Sequence, residues 1–167
     1  MLKTRAAIGI FLLSAALSYG AALNEAAPGF HLLDTHHKKR ALTDYQGSVV
    51  FINFWASWCA PCQRELPEIN RLAAAYRGKK VKVLAINVDQ SRQDAQKLLA
   101  ELGLTDAAMT VLWDSHSEAV SAYNVDGMPS SFILDRRGII RYDHTGYRTQ
   151  DPAVWRQEIE QLLSIKK

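Results

Sequence analysis

The feature that most constrains this chain is a pair of cysteines placed between an apolar segment and a helical pattern. The pair is Cys59-Ala60-Pro61-Cys62, and these are the only two cysteines in the sequence. The apolar run from Val49 to Trp55 predicts a buried strand covered on both faces. Apolar residues then recur at helical spacing and predict a helix over Cys59 to Arg77. The fold therefore has to place two thiols where a helix begins.

The start of a helix changes the chemistry of a thiol. Unpaired backbone N–H groups and the positive end of the helix dipole favour the thiolate of Cys59. The thiolate is the species that attacks disulfides. Cys62 follows after two residues, so the pair can close a small disulfide without moving the backbone far. We therefore expect the pair to exchange disulfides with other proteins.

Two other uses of a cysteine pair are less favoured by the sequence. A disulfide across so short a loop contributes little stability by the loop-entropy argument, and the chain is long enough to fold without it. A zinc site needs about four ligands, commonly with a second Cys or His pair at fixed spacing. Beyond the adjacent His36 and His37, the sequence offers neither. We expect no bound metal and no cofactor.

Length and charge limit the possibilities further. The chain has 167 residues, 48% of them hydrophobic, which suits one domain with one core. The formal net charge is +3, and Lys3 and Arg5 supply two of these charges, so the rest of the chain is near +1. This balance argues against nucleic-acid binding. The one basic run, residues 36–40, is interpreted as the solvated tip of a hairpin.

The first 22 residues have the pattern of a secretory signal peptide. Lys3 and Arg5 precede the apolar run from Ala6 to Leu17, and small residues follow around Gly20 and Ala22. The alternative is an uncleaved membrane anchor over residues 6–23, since this stretch is just long enough to span a bilayer. In either case we expect residues 23–167 to form one exported domain, located in a bacterial periplasm.

Hydrophobic periodicity and turn residues place the remaining elements. Ser115 or Ser117 is expected to cap the helix predicted over Ser117–Tyr123. The elements alternate in a way that predicts a mixed sheet, with parallel early strands, an antiparallel final pair and helices on both faces. The predicted strands are Phe30–Leu33, Leu42–Tyr45, Val81–Val88, Thr110–Trp113, Ser131–Leu134 and Ile139–His144, and the further helices are Gln93–Leu102, Ser117–Tyr123 and Ala153–Ser164.

The segment from Phe54 to Cys62, with sequence FWASWCAPC, resembles the active site of the thioredoxin superfamily. The wider match is to its exported TlpA/ResA-like branch, which includes reductants of cytochrome c maturation. The resemblance implies an α/β, thioredoxin-like fold: a central mixed β-sheet flanked by helices, with an added N-terminal β-hairpin. The resemblance extends to other segments: Pro28-Gly29-Phe30, Glu65-Leu66-Pro67, Tyr123 to Pro129, and Phe132 to Asp135 with Gly138.

Two positions depart from the pattern of relatives. The N-terminal hairpin of that branch usually turns through a glycine, where this chain has the bulkier His36-His37-Lys38. Asn53 stands where thioredoxin has a buried aspartate. Proteins of the exported branch resemble this chain at that position. Instead of the aspartate they use a glutamate after the cysteines, which implies that Glu65 takes the place of the aspartate.

Three residues of the predicted helix are the candidate catalytic groups. Cys59 is the expected nucleophile, and Cys62, one turn inward, is the more buried resolving thiol; together they form a redox-active disulfide. Glu65 lies three residues further on the same helical face, where a partly buried carboxylate would have a raised pKa and could accept the proton of Cys62. The alternative is a surface glutamate paired with Arg64 or Arg71.

Three further residues are expected to bind the substrate. The resemblance implies that Pro129 follows a cis peptide bond, which brings the backbone of Met128 beside the sulfur atoms. The N–H and C=O of Met128 could then pair with a bound strand of the substrate. Trp58 is expected to cover the thiols and to offer an apolar contact to partner proteins.

The leading hypothesis is an exported thiol–disulfide oxidoreductase that reduces disulfides in periplasmic proteins, such as apocytochrome c or proteins that assemble metal sites. A membrane thiol reductant of the DsbD or CcdA type would reduce it again. Two alternatives stay open. One is a peroxiredoxin-type peroxidase, which would want a threonine at position 56, where this chain has Ala56. The other is a non-catalytic copper or heme chaperone. We expect a monomer that contacts the membrane only through an uncleaved N-terminal segment.

Overall fold

A computed structural model describes residues 21–165, which form one seven-stranded sheet with four α-helices and a short 3₁₀ helix. Residues 1–20 of the predicted signal peptide lie outside the described residues. The strands are β1 (His31–Asp34), β2 (Lys39–Ala41), β3 (Val49–Trp55), β4 (Val81–Asn87), β5 (Thr110–Trp113), β6 (Ser130–Leu134) and β7 (Ile140–Thr145), and the helices are the 3₁₀ helix (Leu42–Tyr45), α1 (Ala60–Ala75), α2 (Arg92–Glu101), α3 (Glu118–Ala122) and α4 (Asp151–Ser164).

The sheet is mixed, with the order β2-β1-β5-β4-β3-β6-β7. The three central strands β5, β4 and β3 are parallel and are connected through helices. Strands β6 and β7 are antiparallel to their neighbours, as are β1 and β2. The predicted thioredoxin-like fold, with its central mixed sheet and its added N-terminal hairpin, is confirmed.

Strand β3 lies at the centre of the core because both of its faces are covered. Phe51 and Trp55 point to the face packed by α1, α2 and α4, whereas Ile52 and Phe54 point to the face packed by α3 and the N-terminal segment. All seven residues of β3 are buried. This burial explains why β3 is apolar at every position except Asn53, since a strand covered on both faces has no polar side.

The predicted strand over Leu42–Tyr45 is wrong, because these residues form a 3₁₀ helix. The carboxylate of Asp44 accepts a hydrogen bond from the N–H of Ala41 (2.9 Å), which stabilises the first turn of this helix. The second strand of the hairpin is instead Lys39–Ala41, paired antiparallel with β1. The basic run thus covers the turn of the hairpin and continues into its second strand.

The predicted serine cap of α3 is also wrong. Ser117 stands at the N-cap position with a positive φ of 58°, and its side chain makes no capping hydrogen bond. The buried carboxylate of Asp114 accepts hydrogen bonds from the N–H groups of Glu118 (2.9 Å) and Val120 (2.8 Å) instead. An acceptor three residues before the N-cap thus satisfies the free N–H groups of this short helix.

Within residues 21–165, none of the helices combines the length and the hydrophobicity needed to cross a bilayer.

Candidate active site

The two cysteines form a disulfide at the N-terminus of α1. Cys59 occupies the N-cap position, and Cys62 lies in the first turn, with their Cα atoms 5.3 Å apart. The residue Cys59 is 4% exposed, whereas Cys62 is completely buried. A partner can therefore reach only the sulfur of Cys59. The expectation that Cys62 is the more buried cysteine is confirmed.

The backbone at the start of α1 presents donors to Cys59. The N–H of Cys62 is directed at the sulfur of Cys59 (3.3 Å), and the N–H of Gln63 donates to the carbonyl oxygen of Cys59 (3.2 Å). Pro61 has no N–H to offer and suits a first turn, where that group would be unpaired. The first turn of α1 contains no acidic residue. The local field of the 16-residue helix at Cys59 is thus positive.

The loop before Cys59 is held by a buried aspartate that the sequence analysis missed. Both oxygens of the Asp89 carboxylate lie within hydrogen-bond distance of the N–H of Ser57 (2.9 and 3.2 Å), and one of them accepts from its hydroxyl (3.1 Å). Asn87 also donates to Asp89 (2.8 Å), and Gln63 donates to the carbonyl of Ser57 (2.8 Å). These bonds connect the loop to the end of β4 and to α1.

Glu65 is a buried acid inside the core. It is 1% exposed, and its carboxyl accepts a hydrogen bond from the side-chain amide of Asn53 (2.9 Å). Burial raises its pKa to about 8; the hydrogen bond from Asn53 opposes this rise, and the negative charge of Asp151 adds to it. The alternative of a surface glutamate paired with an arginine is wrong, since Glu65 is buried and Arg71 pairs with Glu68.

Glu65 and Cys62 are both buried and are three residues apart on α1, so they lie on one face of the helix. Asn53 extends the arrangement into the sheet, because its amide also donates to the hydroxyl of Ser131 on β6 (3.0 Å). Its carbonyl oxygen Oδ1 has no hydrogen-bond partner among the described residues. A polar cluster thus runs from the inner cysteine to the neighbouring strand, within an otherwise apolar core.

An open cleft of about 440 Å³ adjoins the disulfide. One wall comes from the start of α1 and the loop before it, and the other from the loop between α3 and β6. The indole of Trp58 is 71% exposed at the edge of this cleft. The residues that line the cleft are Trp58, Cys59, Ala60, Pro61, Val125, Asp126, Gly127 and Met128.

The loop opposite Cys59 contains a cis peptide bond between Met128 and Pro129, as the resemblance implied. Its position is fixed by neighbouring backbone groups. The carbonyl of Pro129 accepts a hydrogen bond from the N–H of Gly146 (2.8 Å), and the hydroxyl of Ser130 donates to the carbonyl of Gly127 (2.6 Å). Met128 is therefore held at the cleft, across from the outer cysteine.

Between residues 21 and 165, no group of three or more His, Cys, Asp or Glu side chains is arranged to hold a metal ion. His36 and His37 are exposed in the hairpin turn. The hairpin turn, between β1 and β2, lies at the opposite end of the sheet from Cys59, since β1 runs antiparallel to β5.

Comparison with known proteins agrees with this geometry. Residues 23–143 match the model of the AhpC/TSA family. The thiol-disulfide oxidoreductase ResA of Geobacillus thermodenitrificans is 33% identical over 164 residues, which cover 92% of this chain and 91% of that protein. The thioredoxin-like protein YneN of Bacillus subtilis is 32% identical, over 84% of this chain and 78% of that protein.

A solved structure from Chlorobium tepidum, assigned as a thiol:disulfide interchange protein DsbE, is also similar. It superposes with a TM-score of 0.80 and 36% identity, and the match covers 87% of this chain and all of that chain. The chain therefore belongs to the AhpC/TSA family, and it is a thioredoxin-like thiol–disulfide oxidoreductase similar to ResA.

Proposed function

We propose that this thiol–disulfide oxidoreductase acts as a reductant of disulfides in exported proteins, with Cys59 as its nucleophile. The observation that carries the proposal is the position of Cys59. Its sulfur lies at the helix N-terminus, accepts the N–H of Cys62 and forms part of the wall of an open cleft. Donors and a positive dipole there stabilise a thiolate, which is the attacking species.

The reaction has two exchange steps. The thiolate of Cys59 attacks one sulfur of a partner disulfide, so that a mixed disulfide forms and the other partner sulfur leaves as a thiolate. The thiolate of Cys62 then attacks the sulfur of Cys59, which closes the Cys59–Cys62 disulfide and releases the second partner thiolate. Two electrons pass to the partner, and each of its sulfurs takes up a proton. The oxidoreductase is left oxidised.

Glu65 serves the second step as the proton acceptor of Cys62. A buried thiol resists ionisation, because burial disfavours its charged form. The carboxyl of Glu65 lies on the same face of α1, and its pKa of about 8 is near that of a thiol. A proton moves most easily between groups of similar pKa, so Glu65 suits this transfer better than a solvated carboxylate would.

The direction of transfer follows from the residues between the cysteines. Ala60 and Pro61 add no positive charge and no side-chain donor to stabilise the Cys59 thiolate further. We therefore expect a reduction potential nearer that of thioredoxin (about −270 mV) than that of the strong oxidant DsbA (about −120 mV). Equilibration with a glutathione buffer measures this value, and a result above roughly −180 mV would contradict the role of reductant.

The proposed location is the bacterial periplasm, because the first 22 residues have the pattern of a signal peptide. In that oxidising compartment, a membrane thiol carrier of the DsbD or CcdA type would have to reduce the enzyme again. Apocytochrome c and metal-site assembly proteins are the proposed partners. Expression of the full chain followed by N-terminal sequencing of the exported product tests the export signal: cleavage near Gly20 or Ala22 supports it, and an intact cytoplasmic product contradicts it.

Trapping of a mixed disulfide tests the proposal as a whole. In the Cys62→Ser variant the second step is blocked, so partners should stay linked to Cys59 and be released by dithiothreitol. The matched Cys59→Ser variant keeps only the buried thiol and should trap little. Exported proteins with cysteine pairs in the trapped fraction support the proposal. Equal trapping by both variants would contradict the role of Cys59.

The same preparations address the two alternatives. A peroxidase would consume hydrogen peroxide rapidly with the reduced enzyme, and we expect no such activity with Ala56 at the position where that chemistry wants a threonine. A copper or heme chaperone would retain its ligand through purification and trap no partner in the Cys62→Ser variant.

A further inference from the structure

The cleft beside Cys59 is apolar except for one charge. Trp58, Pro61, Val125 and Met128 supply apolar surface, and Asp126 is the one charged residue in the lining. Asp126 is exposed, and within residues 21–165 its carboxylate makes no hydrogen bond and no ion pair. A free carboxylate therefore faces any partner that reaches the sulfur of Cys59.

A second feature of the same cleft favours cations. Trp58 is the most exposed large hydrophobic side chain in the described part of the chain. The face of an indole attracts an ammonium or guanidinium group, and tryptophan is the strongest aromatic partner for such a contact. The indole and the carboxylate of Asp126 line the same cleft. Both therefore favour a positive group at a site directly beside the attacking sulfur.

The nearby basic side chains do not cancel this preference. Arg148, in the loop after β7, is paired with the buried carboxylate of Asp151 (3.3 Å). Arg64 is exposed on α1 and is not among the residues that line the cleft. An acidic side chain of a partner would thus meet a like charge in the cleft and no free cation. Electrostatic complementarity of this kind governs the choice of partner and the rate of association.

We propose that this cleft selects polypeptide partners in which a lysine or arginine lies beside the cysteine under attack, with Asp126 and Trp58 as the residues that determine this specificity. The inference rests on the proposed role of Cys59 as nucleophile and adds the chemical class of its substrate. The partner would place its disulfide at Cys59 and its basic side chain between the two walls of the cleft. Asp126 and Trp58 take no part in the transfer of electrons.

Three short peptides test the preference. They differ only in the residue before their single cysteine, which is Lys, Gln or Glu, and each carries thionitrobenzoate in a mixed disulfide. Attack of Cys59 on the peptide sulfur releases the coloured thiolate, so stopped-flow absorbance gives the second-order rate constant. At low ionic strength, the reduced full chain should react with the Lys peptide about threefold to tenfold faster than with the Glu peptide. Sodium chloride at 0.5 M should bring this ratio below about two.

Substitutions assign the preference to the two residues. Asp126→Asn should bring the Lys-to-Glu ratio close to one, and Asp126→Lys should invert it. Trp58→Leu should lower the ratio while leaving its salt dependence in place, because the carboxylate remains. Asp106→Asn changes the net charge equally at an exposed site far from the cleft, in the loop before β5, and should keep the wild-type ratio. Circular dichroism of each variant verifies that it is folded.

Two results would overturn the inference: equal rates for the three peptides with the wild-type chain, or the same loss of preference in Asp126→Asn and Asp106→Asn. Either result leaves the proposed function intact, because the Gln peptide still reports attack by Cys59. If instead the wild-type chain reacts with no peptide faster than a Cys59→Ser variant does, the proposed function itself fails, and the specificity inference fails with it.

Discussion

The amide Nδ2 of Asn53 lies 2.9 Å from Oε2 of Glu65, and this hydrogen bond joins the central strand β3 to the helix that carries both cysteines. Both residues are buried. One donor offsets only part of the cost of burying a carboxylate, so the pKa of Glu65 is raised to about 8 and most of this group is protonated at neutral pH, with a smaller ionised fraction. The ionised fraction is the form that can accept the proton of Cys62, and it grows as the pH rises towards 8.

The first prediction concerns stability against pH. The pKa of a glutamate is ordinarily 4.5, and that of Glu65 in the folded protein is about 8. Between these two pH values, the unfolded chain has lost the proton of Glu65, whereas the folded protein still keeps it. Stability contributed by this group is complete below pH 4.5 and is lost as the pH rises to about 8, by up to roughly 5 kcal/mol in all. Urea unfolding of the oxidised protein at pH 5 and pH 8.5 measures the loss.

The Glu65→Gln variant should lack this component, since glutamine keeps an acceptor for Asn53 and does not titrate. The variant should therefore gain stability relative to the wild-type chain as the pH increases from 5 to 8.5. Glu68→Gln, one turn further along α1, is the matched control, and its stability relative to the wild-type chain should not change with pH in this way. Parallel curves for the wild-type chain and Glu65→Gln would contradict a raised pKa.

The second prediction concerns the release of the partner. Glu65→Gln removes the proton acceptor of Cys62, so it should slow the attack of Cys62 on the mixed disulfide by about tenfold to a hundredfold at pH 7. The formation of that mixed disulfide by Cys59 should slow much less. Rapid quenching with acid, followed by mass spectrometry, separates the two steps. A variant that accumulates no mixed disulfide would contradict the proposed role of Glu65.

The third prediction concerns the loop before Cys59. Asp89→Ala leaves the partly buried N–H and hydroxyl of Ser57 without their acceptor, and it should lower the free energy of unfolding by about 2 to 3 kcal/mol. Ser57→Ala removes only the hydroxyl bond and should cost about 1 kcal/mol. Urea unfolding at pH 7 compares them with Asp106→Ala, an exposed change that should stay within about 0.5 kcal/mol. Equal stability of Asp89→Ala and Asp106→Ala would show that the loop needs no such support.

Much of this site could be predicted from the sequence, because its parts are local. The apolar run of β3, the cysteine spacing and the position of Glu65 three residues later all lie within 17 residues, where periodicity and helix geometry apply. Helix α1 and the buried strands could be predicted from the sequence for the same reason. The cis bond at Pro129 was expected from the family resemblance rather than from its local sequence.

Other parts depend on contacts between distant segments. Asp89 supports Ser57 across 32 residues, and this requires the parallel register that pairs Trp55 with Asn87. No local pattern encodes that register. The strand prediction for Leu42–Tyr45 failed for a different reason. The apolar residues at its two ends fit a short strand and a 3₁₀ helix equally well, and the carboxylate of Asp44, which accepts a hydrogen bond from the N–H of Ala41, stabilises the 3₁₀ helix.

The acidity of the Cys59 thiol tests the central claim most directly. Reduced Cys62→Ser protein can be alkylated with iodoacetamide across a range of pH, with the rate followed by mass spectrometry; a Cys59→Ser variant gives the background. We expect the rate to reach half of its maximum below about pH 7.5, because the helix N-terminus stabilises the thiolate. A midpoint at or above about 8.5, the value of an ordinary cysteine, would contradict the account.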